Sequence, residues 1–184
     1  MTKAFYDRGW NGINIEPLKD KYDLLLKYRP RDINLNLGVG KKRENAFIYK
    51  QAYNGFMSFI MYERKFNNSN IYNISIDSMA NICNKYVPKG KEIQFCKIDV
   101  EGGEKNVLLG FDFENFRPKV IYIESAINKT SNIPAHKNWE NILLLNDYQF
   151  VYMFHRNRFY FDSRKSQLIN KFKYLDYYVH LYKN

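Results

Sequence analysis

The sequence predicts an α/β fold in which a doubly wound, mostly parallel sheet ends in an antiparallel hairpin, and three observations support this prediction. Strand and helix patterns alternate along the chain from residue 10, and β-α-β order is typical of parallel sheets. Residues 120–123 are continuously apolar and residues 93–100 are mostly apolar, as is typical of strands that are covered on both faces. Residues 150–154 and 159–161 have strand patterns and lie close enough along the chain to pair as a hairpin.

The first elements are a helix end, a strand and a second helix. Residues 2–8 have a helical pattern, and Gly9 follows at the position where glycine usually ends a helix. Residues 10–16 predict a short strand with Glu16 at its end. Pro17 then begins a helix, a position that proline favours, and apolar residues recur at helical spacing behind it.

The middle of the chain predicts more strands and one helix. Apolar and polar residues alternate with a period of two in the first of these strands. The predicted strands cover residues 33–39, 46–49 and 73–76. Asp77 or Ser78 can cap the helix that follows, because their side-chain oxygens accept hydrogen bonds from backbone N–H groups. Residues 51–70 have no clear pattern.

The second half repeats the strand and helix order before the hairpin. A short helix around residues 107–109 ends at Gly110, and a second helix covers residues 139–145 after a loop at 125–135. Apolar residues from 168 to 175 predict a weakly amphipathic helix in the C-terminal tail.

Composition limits the class of protein. The chain has 184 residues, which suits one domain, and 45% of them are hydrophobic, which excludes a disordered chain. No apolar run approaches the roughly 20 residues of a membrane-spanning helix. No apolar segment of a secretory signal follows Met1. The two cysteines, Cys83 and Cys96, predict buried thiols, so we expect a reducing cytoplasm.

The charge balance points to acidic partners or substrates. The formal net charge is +10, from 29 Lys and Arg against 19 Asp and Glu. The basic residues are scattered, and aromatic residues do not interleave with them as they do in RNA-binding modules. We therefore expect no nucleic-acid partner.

Three acidic residues come at the ends of two predicted strands. Asp99 and Glu101 end the strand at 93–100, and Glu124 ends the strand at 120–123. The carboxyl ends of adjacent parallel strands lie about 4.8 Å apart at one edge of a sheet, so these carboxylates are expected to converge. They could accept a proton, orient a cationic ligand or bind a divalent ion. The alternative is that acids at a helix start offset the helix dipole.

Other candidates are weaker. An acid such as Glu16, at the end of a strand in a nucleotide-binding sheet, typically binds ribose hydroxyls. Residues 38–40, Gly-Val-Gly, are too short for a phosphate-binding loop, and either an ordinary turn or close approach to a flat ligand such as adenine explains them. His136 is either a general base or an incidental loop histidine. The sequence lacks the Cys and His spacing of a zinc site, so we assign no metal site. A metal-assisted reaction, with Asp99 and Glu124 as ligands, stays open.

Several of these segments together resemble the FkbM family of S-adenosylmethionine-dependent methyltransferases. The resemblance runs from residue 2 to about residue 163 in the family's order, and it leaves residues 164–184 as a C-terminal helical tail. The segments that carry it are residues 6–17, Ile76-Asp77-Ser78, Ile98-Asp99-Val100-Glu101-Gly102, Ile123-Glu124-Ser125 and residues 133–140.

The resemblance implies a Rossmann-like class I methyltransferase fold, with a seven-stranded sheet and a reversed strand near one edge. It also implies methyl transfer from S-adenosylmethionine to a hydroxyl group of a saccharide or a natural product. The cofactor-binding residues that it implies are Glu16, Pro17, Gly38 and Val39. The expected catalytic residues are Asp99, Glu101, Glu124 and His136.

The sequence departs from the family pattern at its start. Family members begin with a strand and an Asp-x-Gly-Ala-Asn type loop that cradles the methionine part of the cofactor, and residues 1–163 are expected to be a methyltransferase domain without that first strand. This departure leaves enzymatic activity open. The alternative function is an inactive remnant that acts as an interaction module, with open sheet edges that favour self-association.

Overall fold

The computed structural model describes residues 2–50, 59–61, 63, 70–125 and 134–165. Its contacts divide the chain into two compact units, Met1–Pro88 and Lys89–Asn184. The described helices are α1 Thr2–Asp7, α2 Lys19–Tyr28, α3 Met79–Tyr86, α4 Glu104–Leu109 and α5 Glu140–Leu144. The described strands are β1 Ile13–Ile15, β2 Ile33–Leu35, β3 Gly38–Gly40, β4 Glu44–Tyr49, β5 Phe59–Met61, β6 Ile71–Ser78, β7 Phe95–Ile98, β8 Val120–Glu124, β9 Tyr148–Phe154 and β10 Asn157–Asp162.

The first unit begins with the predicted β-α-β order. Helix α1 ends at Gly9, whose φ of 89° lies in the left-handed region that favours glycine. Strands β1 and β2 pair in parallel, with Ile13 opposite Ile33. The predicted strand at 10–16 is shorter than expected, because only Ile13–Ile15 join the ladder.

A buried aspartate holds these elements together. The Asp32 side chain is fully buried and forms an ion pair with Arg29 at the end of α2. Its carboxylate also accepts hydrogen bonds from the backbone N–H of Gly12 at 2.9 Å and from Nδ2 of Asn14 at 2.8 Å. The ion pair and the hydrogen bonds together offset the free-energy cost of removing this carboxylate from water. Removing one partner of a buried ion pair lowers the free energy of unfolding by about 3–5 kcal/mol.

The predicted strand at 33–39 is in fact two strands in two sheets. Nδ2 of Asn36 donates hydrogen bonds to the backbone oxygens of Glu16 and Pro17, at 2.9 and 3.1 Å, and fixes the chain where it leaves the first sheet. The second sheet has the strand order β3-β6-β4-β5. Strand β3 is parallel to β6, whereas β4 is antiparallel to both β6 and β5.

One face of the second sheet forms a hydrophobic core cluster in the first unit. Alternate residues of β4 and β6 lie on this face with Leu18, and Ile60 packs against them. Burial of each large aliphatic side chain contributes roughly 1.5–3 kcal/mol. The buried residues are Leu18, Ala46, Ile48, Ile74 and Ile76.

Helix α3 follows β6 directly and is capped as predicted. The Ser78 hydroxyl accepts a hydrogen bond from the backbone N–H of Asn81 at 3.2 Å. Asp77 supports the same turn, because its Oδ1 accepts from the backbone N–H of Ser78 and from Nδ2 of Asn81. The bonds from the backbone N–H groups of Ser78 and Asn81 satisfy donors that a helix start leaves without partners.

The second unit is built on a sheet with the strand order β7-β8-β10-β9. Strands β7 and β8 are parallel, and β10 is antiparallel to both β8 and β9. The predicted hairpin is therefore confirmed, and its second strand is the reversed one, next to the edge. The fully buried side chains of the second unit include Ile121, Ile123, Leu143, Tyr160 and Phe161.

The mixed α/β class is confirmed, but the single, mostly parallel sheet is not what the described residues form. They form three small sheets with three parallel and four antiparallel strand pairs. Antiparallel strands need only short connections, and the short turn from β3 to β4 at residues 41–43 favours them.

Some expectations lie outside the described residues. They include most of the unpatterned region at 51–70, most of the loop at 125–135 and most of the tail helix at 164–184. The boundary of a methyltransferase domain at residue 163 stays a prediction. Within the described part, no helix is long and apolar enough to cross a membrane.

Candidate functional site

The three predicted acids come together at the end of β7 and β8. The two strands are in register, with Ile98 opposite Ile123, so that Asp99 and Glu124 come next at the same edge. One carboxylate oxygen from each of Asp99, Glu101 and Glu124 lies within 4.8 Å of the others. The structure thus forms a carboxylate cluster of these three residues, and parallel pairing is the reason.

The turn after β7 brings Glu101 into this cluster. Glu101 has a φ of 52° and Gly102 has a φ of 101°, so two successive residues adopt left-handed backbone. That conformation is uncommon for a residue other than glycine. Glu104 stabilises the turn, because its Oε1 accepts a hydrogen bond from the backbone N–H of Gly102 at 3.1 Å. Of the acids around the start of α4, it is therefore Glu104 that has the structural role.

Lys97 is a neighbour of the cluster that the sequence reasoning missed. Its Nζ lies 2.6 Å from Oδ2 of Asp99. Two residues that are two positions apart in or beside a strand share a face, and this spacing was the signal in the sequence. The ammonium group offsets part of the negative charge that three carboxylates bring together.

Glu124 has the most unusual environment of the three. Burial raises the pKa of its carboxyl group from 4.5 to about 7, with further contributions from the charge and hydrogen bond of Asp99 and the charge of Glu101. Near neutral pH this group is therefore close to half protonated. A side chain with such a pKa can accept a proton and release it again at physiological pH.

Asn157 extends the row of polar side chains across the sheet. It is the first residue of β10 and lies directly opposite Glu124 in the antiparallel register. Directly opposed residues place their side chains on the same face, with Cβ atoms about 5 Å apart. The sequence could not show this pairing, because the register of β8 and β10 depends on how the two strands meet.

Aromatic rings lie farther along the same face. Tyr122 contacts Phe159 with ring centroids 4.7 Å apart, and Phe95 lies 6.2 Å from Tyr122. Tyr152 lies 6.0 Å from Phe159 on the other side. These rings form an aromatic surface beside the acids.

His136 is not part of the carboxylate cluster. It lies in a 3₁₀ turn, where its Nε2 is 3.9 Å from Oε2 of Glu140. Burial and the positive charge of Arg158 lower the pKa of His136, which favours the neutral imidazole. Glu140 in turn accepts hydrogen bonds from Arg158 and Tyr160, at 2.7 and 2.6 Å. His136 is chemically able to act as a base, but the structure does not bring it to the acids.

Glu16 has one carboxylate oxygen that accepts a hydrogen bond and a second oxygen without a donor among the described residues. Its Oε1 accepts a hydrogen bond from the backbone N–H of Leu18 at 3.0 Å, before the first turn of α2. No described residue donates to its second oxygen. Burial raises the pKa of this carboxyl group. A hydroxyl donor from a ligand would satisfy the second oxygen, so Glu16 suits the predicted ribose contact.

Gly38 and Val39 do not fit the predicted contact with adenine as well. A Cβ atom on Gly38 would lie only 2.6 Å from Cδ1 of Ile76 and 3.1 Å from Cδ1 of Ile60. The space beside this glycine is thus filled by core side chains and not open to a ligand. Val39 pairs with Asp77 in the ladder between β3 and β6. Of the two explanations for these residues, the structure favours local packing.

A comparison with models of known protein families matches residues 1–152 to the methyltransferase FkbM domain. No curated protein and no solved structure matches the chain. The matched segment contains the carboxylate cluster, Glu16 and His136.

Proposed function

The chain belongs to the family of the methyltransferase FkbM domain, and we propose that it transfers a methyl group from S-adenosylmethionine to a hydroxyl group of a saccharide or a natural product. The carboxylate cluster carries this proposal, because it contains a proton acceptor whose pKa is about 7. Deprotonation of a hydroxyl group is the acid–base step that such a transfer needs.

Glu124 is the proposed proton acceptor. As the oxygen of the acceptor bonds to the methyl carbon, the hydroxyl proton moves to the Glu124 carboxylate. Asp99 accepts a hydrogen bond from Glu124 once Glu124 carries the proton, which favours the protonated form. Lys97 offsets the charge of Asp99 from 2.6 Å away. S-adenosylmethionine, when bound, supplies an electrophilic methyl group on a sulfonium, whose sulfur keeps the electron pair of the broken bond.

Glu16 is the proposed cofactor contact in the first unit, together with Pro17 beside it. The second oxygen of Glu16 accepts no hydrogen bond from a described residue, and an ionised carboxylate binds ribose hydroxyls strongly. Gly38 is left out of this set, because core side chains fill the space beside it.

The strand order in the second unit supports a Rossmann-like methyltransferase fold. Strands β8 and β9 both run opposite to β10, which lies between them. A reversed strand next to the edge of an otherwise parallel sheet is the arrangement that the family resemblance implies.

We propose that the chain works in a reducing cytoplasm, where Cys83 and Cys96 stay thiols; neither forms a disulfide with another described residue.

The pH dependence of methyl transfer tests the role of Glu124. We expect kcat/KM to rise with pH and to level off above an apparent pKa of about 7, as the carboxylate forms. The Glu124→Gln variant should lose at least about 100-fold in activity together with this pH dependence. Asp99→Asn should move the midpoint to lower pH, because it removes a charge that raises the pKa of Glu124.

The assay uses labelled S-adenosylmethionine with a panel of methyl glycosides as acceptors, after calorimetry has shown that the chain binds the donor. A profile with no step near pH 7, or one that Glu124→Gln leaves in place, contradicts the assignment. Failure to bind the donor removes the enzyme proposal and leaves the interaction module.

A divalent ion at the carboxylate cluster is the metal-assisted version of this proposal. Its ligands would be Asp99 and Glu124, because protein sites usually coordinate Mg²⁺ through one or two carboxylates. Activity that is lost on chelation and restored by Mg²⁺ would establish this version. Activity that survives chelation would leave Glu124 as an unassisted base.

A further inference from the structure

The first unit contains a cleft that none of the predicted site residues lines. Its volume is about 470 Å³, within the range of about 300–1,000 Å³ that is typical of small-molecule sites. Its walls come from the turn before β4, from the neighbouring ends of β4 and β6, and from α3. The residues that line it include Arg43, Glu44, Asn45, Ser75, Lys85 and Tyr86.

A salt bridge fixes the wall of this cleft. Arg43 donates from Nη2 and Nε to Oδ2 of Asp77, at 2.7 and 3.2 Å. The other oxygen of Asp77 accepts hydrogen bonds from Ser78 and Asn81 at the start of α3. Both oxygens of Asp77 are thus used within the protein, and the turn that carries Arg43 is tied to the helix.

Two other polar side chains of the cleft, those of Asn45 and Ser75, have no hydrogen-bond partner among the described residues. Asn45 and Ser75 lie directly opposite each other on β4 and β6, so their side chains lie side by side on one face. Both are exposed, and neither side chain forms a hydrogen bond with a described residue. Lys85 lies over the ring of Tyr86 with its Nζ 5.1 Å from the ring centroid.

The charges of the lining indicate a neutral ligand. Arg43 and Lys85 balance Asp77 and Glu44, so the cleft has no net formal charge despite the net charge of +10 on the whole chain. A site for an anion would carry an excess of positive charge.

The available groups indicate hydroxyls. Glu44 can only accept hydrogen bonds, Lys85 can only donate, and the side chains of Asn45 and Ser75 can do both. A hydroxyl group donates and accepts, so a ligand with several hydroxyls matches every one of these groups. The half-buried ring of Tyr86 adds an apolar surface. We infer that the cleft binds a neutral saccharide of one or two sugar units.

Binding at the cleft is separate from the proposed methyl transfer, because it requires neither S-adenosylmethionine nor the carboxylate cluster. Failure of one proposal therefore leaves the other standing.

Calorimetry of the full chain with maltose, lactose and N,N′-diacetylchitobiose tests the inference. At least one of these disaccharides should bind with a Kd of about 1 mM or lower. The double variant Asn45→Ala/Ser75→Ala should weaken that binding about tenfold, because it removes two hydrogen-bonding side chains. Asn73→Ala is the matched control, since Asn73 is exposed on the same strand and face as Ser75 but does not line the cleft.

Circular dichroism melting shows whether the double variant keeps its fold. We expect that it does, because both substituted residues are exposed. No heat with any of the three disaccharides, or binding that the double variant and Asn73→Ala affect equally, would overturn the inference. So would sulfate that binds more tightly than every disaccharide and is lost in Lys85→Met, because the cleft would then be an anion site.

Discussion

At the scale of single residues, Glu124 links the packing of the second unit to its proposed chemistry. Its position at the end of β8 partly buries it and places Asp99 beside it. Both effects raise its pKa. The strand-end position could be read from the sequence, but the pKa could not, because it depends on residues from β7 and from the turn after it.

The Glu124→Gln variant should change stability in a pH-dependent way. The pKa of Glu124 is about 7 in the folded protein, against 4.5 for the unperturbed carboxyl group of an unfolded chain. The protonated carboxyl group therefore stabilises the fold fully below pH 4.5, and this stabilisation is lost as pH rises through 7. Glutamine cannot ionise, so the variant should be more stable than the wild type by about 1 kcal/mol at pH 8, with solvent screening limiting the gain. Urea unfolding at pH 4.5 and pH 8 measures the difference.

Glu114→Gln is the control for this experiment, because Glu114 is an exposed glutamate in the same unit. Its substitution should have no such effect. A gain for Glu124→Gln that is equal at both pH values would contradict the assigned environment of the carboxyl group.

At the scale of elements, the division of the segment at 33–39 has the largest consequence. Period-two alternation predicted one strand, but Leu35 ends the ladder with β1 and Gly38 begins the ladder with β6. The sequence pattern is the same for one strand or two, because alternation reports which face is buried and not which sheet a residue joins. Gly38 begins the second of these strands, and core side chains lie close to it.

Gly38→Ala should destabilise the first unit. The added Cβ atom would meet three isoleucine Cδ1 atoms, at distances of 2.6 to 3.2 Å, in a packed core. Overpacking of this kind costs about 1–3 kcal/mol. Gly12→Ala is the matched control, since no atom lies within 4 Å of its Cβ position, and it should change stability by less than about 0.5 kcal/mol. Denaturant unfolding of both variants measures this, and equal effects would show that Gly38 is not packed against the core.

At the scale of the whole molecule, net charge and open sheet edges have opposite effects on self-association. Within the described residues, β1 pairs only with β2 and β7 pairs only with β8, so each has one edge without a neighbouring strand. Open edges favour pairing with another chain. The net charge of +10 repels a second copy.

Self-association should therefore increase with ionic strength. Raising salt from about 0.01 M to about 0.15 M shortens the screening length from about 30 Å to about 8 Å and weakens the repulsion between copies. Light scattering at several protein concentrations should show a mass that grows with salt. A monomer whose mass is the same across this range would show that the edges do not mediate association.

The sequence by itself determined most of the order of helices and strands, a helix cap at Asp77 or Ser78, the hairpin and the acids at the strand ends. Each of these depends on local features: the period of the apolar pattern, the residue at a helix start, or a position after a strand. The tertiary structure alone decided the division into several sheets, the register that places Asn157 opposite Glu124, the raised pKa of Glu124 and the core packing around Gly38. These depend on which distant residues become neighbours, and a local pattern carries no information about that.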